Sequence, residues 1–153
     1  MIIIIEGPDG SGKTTLAKKL SKQTGYPLVH RSAPKSDDEK TAMKEMYLRC
    51  IREGADAIFD RCWYSEMVYG PIMRDASVIS YPNMYALEKR LTDHGALIIY
   101  CTGDPDVLWE RCTERGEDYI TDRETHLKIC AGFEELMSLP HYVPVVKYEY
   151  KEV

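Results

Sequence analysis

The stretch Ile2-Ile3-Ile4-Ile5-Glu6-Gly7-Pro8-Asp9-Gly10-Ser11-Gly12-Lys13-Thr14-Thr15 decides the fold. A run of isoleucines suits a strand covered on both faces. The glycines after it permit a tight loop, and from Lys13 the apolar residues take helical spacing. G-x-x-x-x-G-K-T between a strand and a helix is the pattern of a phosphate-binding loop. Its glycines let consecutive backbone N–H groups face an anion, and the new helix adds the positive end of its dipole. Lys13 reaches the outer phosphates of a nucleoside triphosphate, and the Thr14 hydroxyl ligates Mg²⁺. Gly7, Pro8, Asp9, Gly10, Ser11, Gly12, Lys13, Thr14 and Thr15 are therefore the expected nucleotide-binding residues. A glycine turn that binds nothing is the competing reading, and the flanking strand and helix count against it.

Outward from this loop, strand and helix signals alternate. A helix from Lys13 to Gln23 carries Leu16, Ala17 and Leu20 on one side and stops at Gly25-Tyr26-Pro27, before a short strand Leu28 to His30. Ser36 and Glu39 have capping-box spacing, and Met43, Met46, Tyr47, Cys50 and Ile51 repeat at helical intervals as core residues until Gly54. A strand follows from Ala55 to Asp60, then a helix that begins near Trp63 and ends before Pro71. Tyr81-Pro82 opens another helix, with Met84, Leu87 and Leu91 inward and Gly95 ending it. The strand Ala96 to Cys101 comes next, and Asp104-Pro105 starts a helix through about Arg115. Thr121 and Glu124 form a second capping box for a helix to about Leu139, and Val143 to Tyr150 makes the last strand. The alternation predicts an α/β fold, a parallel sheet of roughly five strands with helices on both faces. Ligands gather at the carboxyl ends of such strands, which makes Asp9, His30, Arg31, Asp60, Arg61 and the segment after Cys101 neighbours.

With 153 residues, 44% of them hydrophobic, the chain has material for one core, so a single domain over 1–153 is expected. Lys and Arg total 20 against 25 Asp and Glu, a net charge of −5, which supplies no overall field for a polyanion. Cys50, Cys62, Cys101, Cys112 and Cys130 form no C-x-x-C pair and read as reduced, buried thiols. No apolar stretch approaches the ~18 residues of a membrane span, and the first residues lack the basic segment of a signal peptide. A soluble cytoplasmic protein with no membrane partner is expected.

Asp60-Arg61 ends the third strand. There a carboxylate lies near the Mg²⁺ held by Thr14 and binds its water shell, and the adjacent guanidinium grips a second anion, that of an acceptor. An ordinary ion pair at a strand end is the alternative. A third cluster is Arg111, Arg115 and Arg123. Arg111 and Arg115 share one helix face, and Gly116-Glu117-Asp118-Tyr119 is a flexible turn suited to a lid around 111–123. Excluding water and supplying cations is most of what phosphoryl transfer asks of a protein. A salt-bridged surface helix is the competing reading.

With these clusters in place, the chain resembles the thymidylate kinase family of P-loop nucleotide kinases. The matching pieces are I-E-G-P-D-G-S-G-K-T-T at Ile5 to Thr15, F-D-R-C-W-Y-S-E-M-V-Y at Phe59 to Tyr69, and D-P-D-V-L-W-E-R-C-T-E-R-G at Asp104 to Gly116. The resemblance implies a P-loop NTPase fold, ATP as donor, Mg²⁺ as cofactor and a thymidylate-like pyrimidine deoxynucleotide as acceptor. It implies that Asp9 contacts the acceptor sugar and Arg61 its phosphate, with Arg31 and Ser65 also on the acceptor side. Arg111 and Arg115 would meet the donor or the transferred group. Lys13, Asp60, Arg61, Arg111 and Arg115 are the expected catalytic residues, and Thr14 and Asp60 the metal-binding ones. Ser11 follows Gly10 and the loop has no arginine, as in the form whose lid arginines supply the catalytic cation. The general appearance is of the short kinase-like proteins of bacterial viruses, which would place it in a host cytoplasm; a homodimer is the assembly considered.

The segment Arg31 through Ala57 is shorter than the family's usual acceptor wall. Either the enzyme is a minimal nucleoside monophosphate kinase or its acceptor is larger, the alternative being the hydroxymethyl group of 5-hydroxymethyluracil in DNA. An alcohol acceptor calls for a general base, for which Asp60 and Asp9 are available, with Glu6 in reserve if it faces the loop. A DNA acceptor calls for a basic strip, for which Lys35, Lys40 and Lys44 are the candidates. A nucleotide-binding regulatory ATPase is the reading from another class, and it would need no second anion site.

Overall fold

The computed structural model describes residues 1–30, 37–77, 79–116, 120 and 122–150, without the side chains of 37–40, 42–44 and 50. The elements alternate as β1 (Ile2–Glu6), α1 (Lys13–Thr24), β2 (Leu28–His30), α2 (Asp37–Glu53), β3 (Ala57–Asp60), α3 (Trp63–Arg74), α4 (Tyr81–Thr92), β4 (Ala96–Thr102), α5 (Pro105–Arg115), α6 (Arg123–Ser138) and β5 (Val145–Glu149). The strands form one five-stranded parallel sheet in the order β2-β3-β1-β4-β5. β1 is central because its isoleucines are apolar on both faces. Ile2 and Ile4 enter the larger core with Phe59, Ile98 and residues of α2, α3, α4 and α6, whereas Ile3 and Ile5 meet Ala17 and Leu20 of α1. Among the described residues no helix is long and apolar enough to cross a membrane.

Parallel register carries this alternation across the sheet. Ile5 pairs with Asp60, and His30 pairs with Asp60, so these residues share the α1 face. Glu6 pairs with Tyr100 and points to the opposite face, toward α3. One residue of register thus separates a carboxylate that meets the loop from one that does not.

Several boundaries differ from the sequence reading. α3 passes through Pro71 and ends only at Asp75, which is left-handed (φ 61) and donates its N–H to the Gly70 carbonyl. Pro71 lies in the last turn with its side chain exposed, and its missing N–H leaves the Met67 carbonyl without the usual intrahelical donor. α6 is capped one residue later than the Thr121–Glu124 spacing suggests: the Asp122 carboxylate accepts the Thr125 N–H at 2.8 Å. β3 starts at Ala57 rather than Ala55, and β5 is shorter at both ends than predicted. Tyr47 and Ile51 are buried as expected, Tyr47 edge-on to Phe59 and Trp63, so Tyr47 belongs to the core. Cys62, Cys101, Cys112 and Cys130 are buried free thiols. The Ser36–Glu39 box, the Met43 and Cys50 side chains, and Thr121 lie outside the described residues.

Candidate active site

The loop between β1 and α1 is shaped by contacts that only glycine allows. Gly7 has φ 149, and a Cβ there would stand 2.0 Å from the Cys101 carbonyl oxygen. Gly10 has φ 82, and its Cβ would lie 2.6 Å from the Leu108 carbonyl of α5. β4 and α5 therefore press directly on the loop. Lys13 closes it from within: its ammonium donates to the Pro8 carbonyl at 2.7 Å, which also accepts from the Ser11 hydroxyl at 2.7 Å. Burial, helped by the neighbouring Arg61 charge, lowers the Lys13 pKa to about 8.

A cavity of about 180 Å³ opens over the loop, lined by Asp9, Gly10, Gly12, Lys13, Thr14 and Thr15 with His30, Asp60, Arg61 and Arg115. On the α1 face the Thr14 hydroxyl donates to Asp60 Oδ2 at 2.8 Å, and His30 Nδ1 meets the same oxygen at 2.8 Å. Among the described residues Asp60 Oδ1 is buried with no hydrogen-bond partner. A buried carboxylate oxygen left in this state is costly unless a water or cation completes it. Among the described residues no group of three or more His, Cys, Asp and Glu forms a metal cage. A metal seated here would thus draw its remaining ligands from phosphates and water, the usual habit of Mg²⁺.

Arg61 follows directly in the left-handed conformation, φ 72, which is strained for a residue with a Cβ. Its backbone N–H donates to the Ile5 carbonyl at 3.0 Å, and its guanidinium turns back over the loop. Nη1 donates to the Gly7 carbonyl at 3.3 Å and to Ser65 Oγ at 3.0 Å; Nη2 donates to Asp9 and, at 3.4 Å, to the Tyr69 hydroxyl. The Tyr69 ring lies 5.2 Å below the guanidinium carbon. Burial opposes the charge, but Tyr69, Asp9 and Glu6 outweigh it and hold Arg61 above its ordinary pKa.

Glu6 caps α3 and does not face the cavity. Cys62, the N-cap residue, makes no side-chain cap of its own, and Glu6 Oε1 accepts the Cys62 N–H at 2.5 Å and the Ser65 N–H at 3.2 Å. Oε2 accepts from the Ser65 hydroxyl at 2.6 Å. With both oxygens committed and no exposure, Glu6 has no opening to serve as a reserve base. Ser65, expected on the acceptor side, is instead held between Glu6 and Arg61 and is not among the residues lining the cavity.

The arginine cluster divides. Arg115 lines the cavity and Arg111 donates to the Gly10 carbonyl, both from α5. Arg123 pairs with Asp106 at the exposed surface and joins the two helices there. Arg31, Lys35, the Glu117–Tyr119 segment of the expected lid and the side chains of Lys40 and Lys44 lie outside the described residues. Two participants escaped the sequence reading. His30 is expected near Asp60 at the sheet edge but with no role of its own, and its contact with the Asp60 carboxylate gives it one. Tyr150, whose ring lies 3.8 Å from the Arg111 guanidinium carbon, had no motif around it.

Comparison with known proteins extends this picture. A family described as ATPase family associated with various cellular activities (AAA) matches residues 3–62, from β1 through the Asp60-Arg61 turn. YorR, an uncharacterized SPbeta prophage-derived protein of Bacillus subtilis, is 33% identical over 140 residues, covering 90% of this chain and 82% of YorR. The crystal structure of YorR in complex with phosphorylated GDP superposes with a TM-score of 0.78 at 28% identity, over 99% of this chain and 85% of that one. A probable thymidylate kinase of Archaeoglobus fulgidus is 24% identical, covering 76% of this chain and 71% of its own length. The deoxyguanosine kinase of Bacillus subtilis is 26% identical, covering 80% of this chain and 70% of its own length. The five-stranded parallel sheet, its phosphate-binding loop and the likeness to YorR along most of both chains lead to one assignment: the chain belongs to the YorR family of P-loop nucleotide-kinase-like proteins.

Proposed function

We propose that the chain is an ATP- and Mg²⁺-dependent phosphotransferase acting on a thymidylate-like pyrimidine deoxynucleotide, its kinase domain spanning 1–153 with a lid around 111–123. The observation that carries this reading is the gathering of Lys13, Asp60, Arg61 and Arg115 around one cavity over the phosphate-binding loop. Loop N–H groups and Lys13 hold the β- and γ-phosphates of the donor. Thr14 and Asp60, whose Oδ1 has no hydrogen-bond partner among the described residues, would hold Mg²⁺ and its water shell, and the ion would supply positive charge against the phosphate oxygens. Arg61, held by Asp9 and Tyr69, faces the acceptor side, and Asp9 exchanges that partner for the acceptor sugar. An acceptor phosphate oxygen attacks the γ-phosphorus, the bond to the bridging oxygen breaks, and ADP leaves. Arg111 and Arg115 neutralise the charge that accumulates on the migrating group.

A second reading, an alcohol acceptor, is favoured by one contact, His30 on Asp60 beside the cavity. A deoxynucleoside, the acceptor class named by the deoxyguanosine kinase relative, or a hydroxymethyl group carried on DNA would each fit that chemistry. The deciding experiment supplies labelled ATP and Mg²⁺ with nucleoside monophosphates, nucleosides, and DNA containing thymine or 5-hydroxymethyluracil, followed by product identification. Diphosphate formed from a pyrimidine deoxynucleotide supports the first reading. Label appearing only in a nucleoside or modified DNA supports the second. ATP hydrolysis indifferent to every acceptor would discard both in favour of a regulatory ATPase.

A further inference from the structure

We infer that Tyr150 is a positioning residue for Arg111, setting α5 against the phosphate-binding loop through an aromatic–guanidinium stack. This rests on the role given to Arg111 in phosphoryl transfer. Tyr150 follows β5 directly, and its N–H donates to the Thr102 carbonyl at 2.7 Å, which extends the β4–β5 pairing by one residue. Continuing the alternation of β5 puts its ring on the α1 face, where Cδ2 comes within 3.8 Å of a Cβ built on Gly12. From above, the Arg111 guanidinium lies 3.8 Å from the ring centroid while Nη1 donates to the Gly10 carbonyl. The guanidinium is thus fixed on two sides, by the loop backbone and by a ring anchored to the sheet. Such a side chain arrives at the reaction already oriented. The chemistry asks for a flat π face, and among the described residues the Tyr150 hydroxyl makes no hydrogen bond.

The test is a cycle of Y150A, Y150L, Y150F and R111A, with kcat and the KM values for ATP and acceptor measured separately and folding checked by thermal unfolding. Y150A and Y150L should each lower kcat by about tenfold with KM for ATP nearly unchanged. Y150F should stay within about twofold of the parent, since it keeps the ring. In an R111A background Y150A should cost nothing further. The Arg111 Nε–H resonance should carry a ring-current shift in the parent and in Y150F that Y150L loses. A crippled R111A whose loss is multiplied by Y150A would overturn this inference alone, as would a Y150A that only raises KM for ATP, making Tyr150 a donor contact. An R111A protein turning over at the parent rate would remove the Arg111 reading and this inference with it.

Discussion

The Lys13 ammonium is buried against the Pro8 carbonyl, and burial lowers its pKa to about 8. In the absence of a bound anion that charge is a cost to the fold, since the loop satisfies it only in part. Lys13→Met should therefore lose turnover by orders of magnitude while its thermal midpoint in ligand-free buffer is equal to or above the parent's. A variant that kept most of its rate would sink the phosphate-loop assignment, and one that unfolded early would sink the account of the buried charge. The sign with pH agrees: a depressed lysine pKa favours the fold at high pH, and that contribution is lost as pH falls through about 8. Arg61, with φ 72, is a second residue whose strain is sustained by its surroundings, here Gly7, Asp9, Ser65 and Tyr69.

At the scale of elements, α3 depends on a residue of another element for its start. Glu6, the last residue of β1, receives the Cys62 and Ser65 N–H groups that open the helix. Burial raises its pKa to about 6, although Arg61, the Ser65 hydroxyl and the Cys62 N–H work to lower it. Glu6→Ala should cost about 2–3 kcal/mol, because it leaves N–H groups at a buried helix end without an acceptor. Chemical denaturation of the purified variant measures this; a loss near zero would mean water replaces the carboxylate. A raised carboxylate pKa contributes stability that is complete below about 4.5 and gone as pH rises through about 6, so Glu6→Gln should flatten that part of the profile.

At the scale of the whole molecule, Glu88, His141 and Tyr64 join α4, α3 and the segment before β5. Glu88 Oε2 accepts from the Tyr64 hydroxyl at 2.8 Å and meets His141 Nδ1 at 2.7 Å, while His141 Nε2 meets the Leu136 carbonyl at 2.8 Å. Both imidazole nitrogens face acceptors, which favours the protonated ring. Burial opposes that charge, and the bonds to Glu88 and Leu136 overcome it, so the His141 pKa is raised. The resulting stability is complete below the unfolded value of about 6.5 and is lost as pH rises through the folded pKa. His141→Gln should remove this alkaline fall in thermal midpoint without changing the rate of phosphoryl transfer at neutral pH. An unaltered midpoint-versus-pH curve in the variant would place the fall elsewhere.

The division between what was legible in the chain and what was not follows the range of the forces. The glycines and Lys13, the alternation of strands and helices, and the places of Asp60 and Arg61 at a strand end could all be read locally, because backbone freedom and apolar period act over a few residues. The cap at Asp122 and the passage of α3 through Pro71 were misread at the same range, where competing local signals differ by little. Register lay beyond that range. It turned Glu6 away from the loop, fixed Asp60 and His30 on the α1 face and set Tyr150 under Arg111. The sequence by itself determined that a phosphate-binding loop would stand on a parallel sheet; the tertiary structure alone decided which side chains face it, because pairing between strands far apart in the chain sets which face every residue takes.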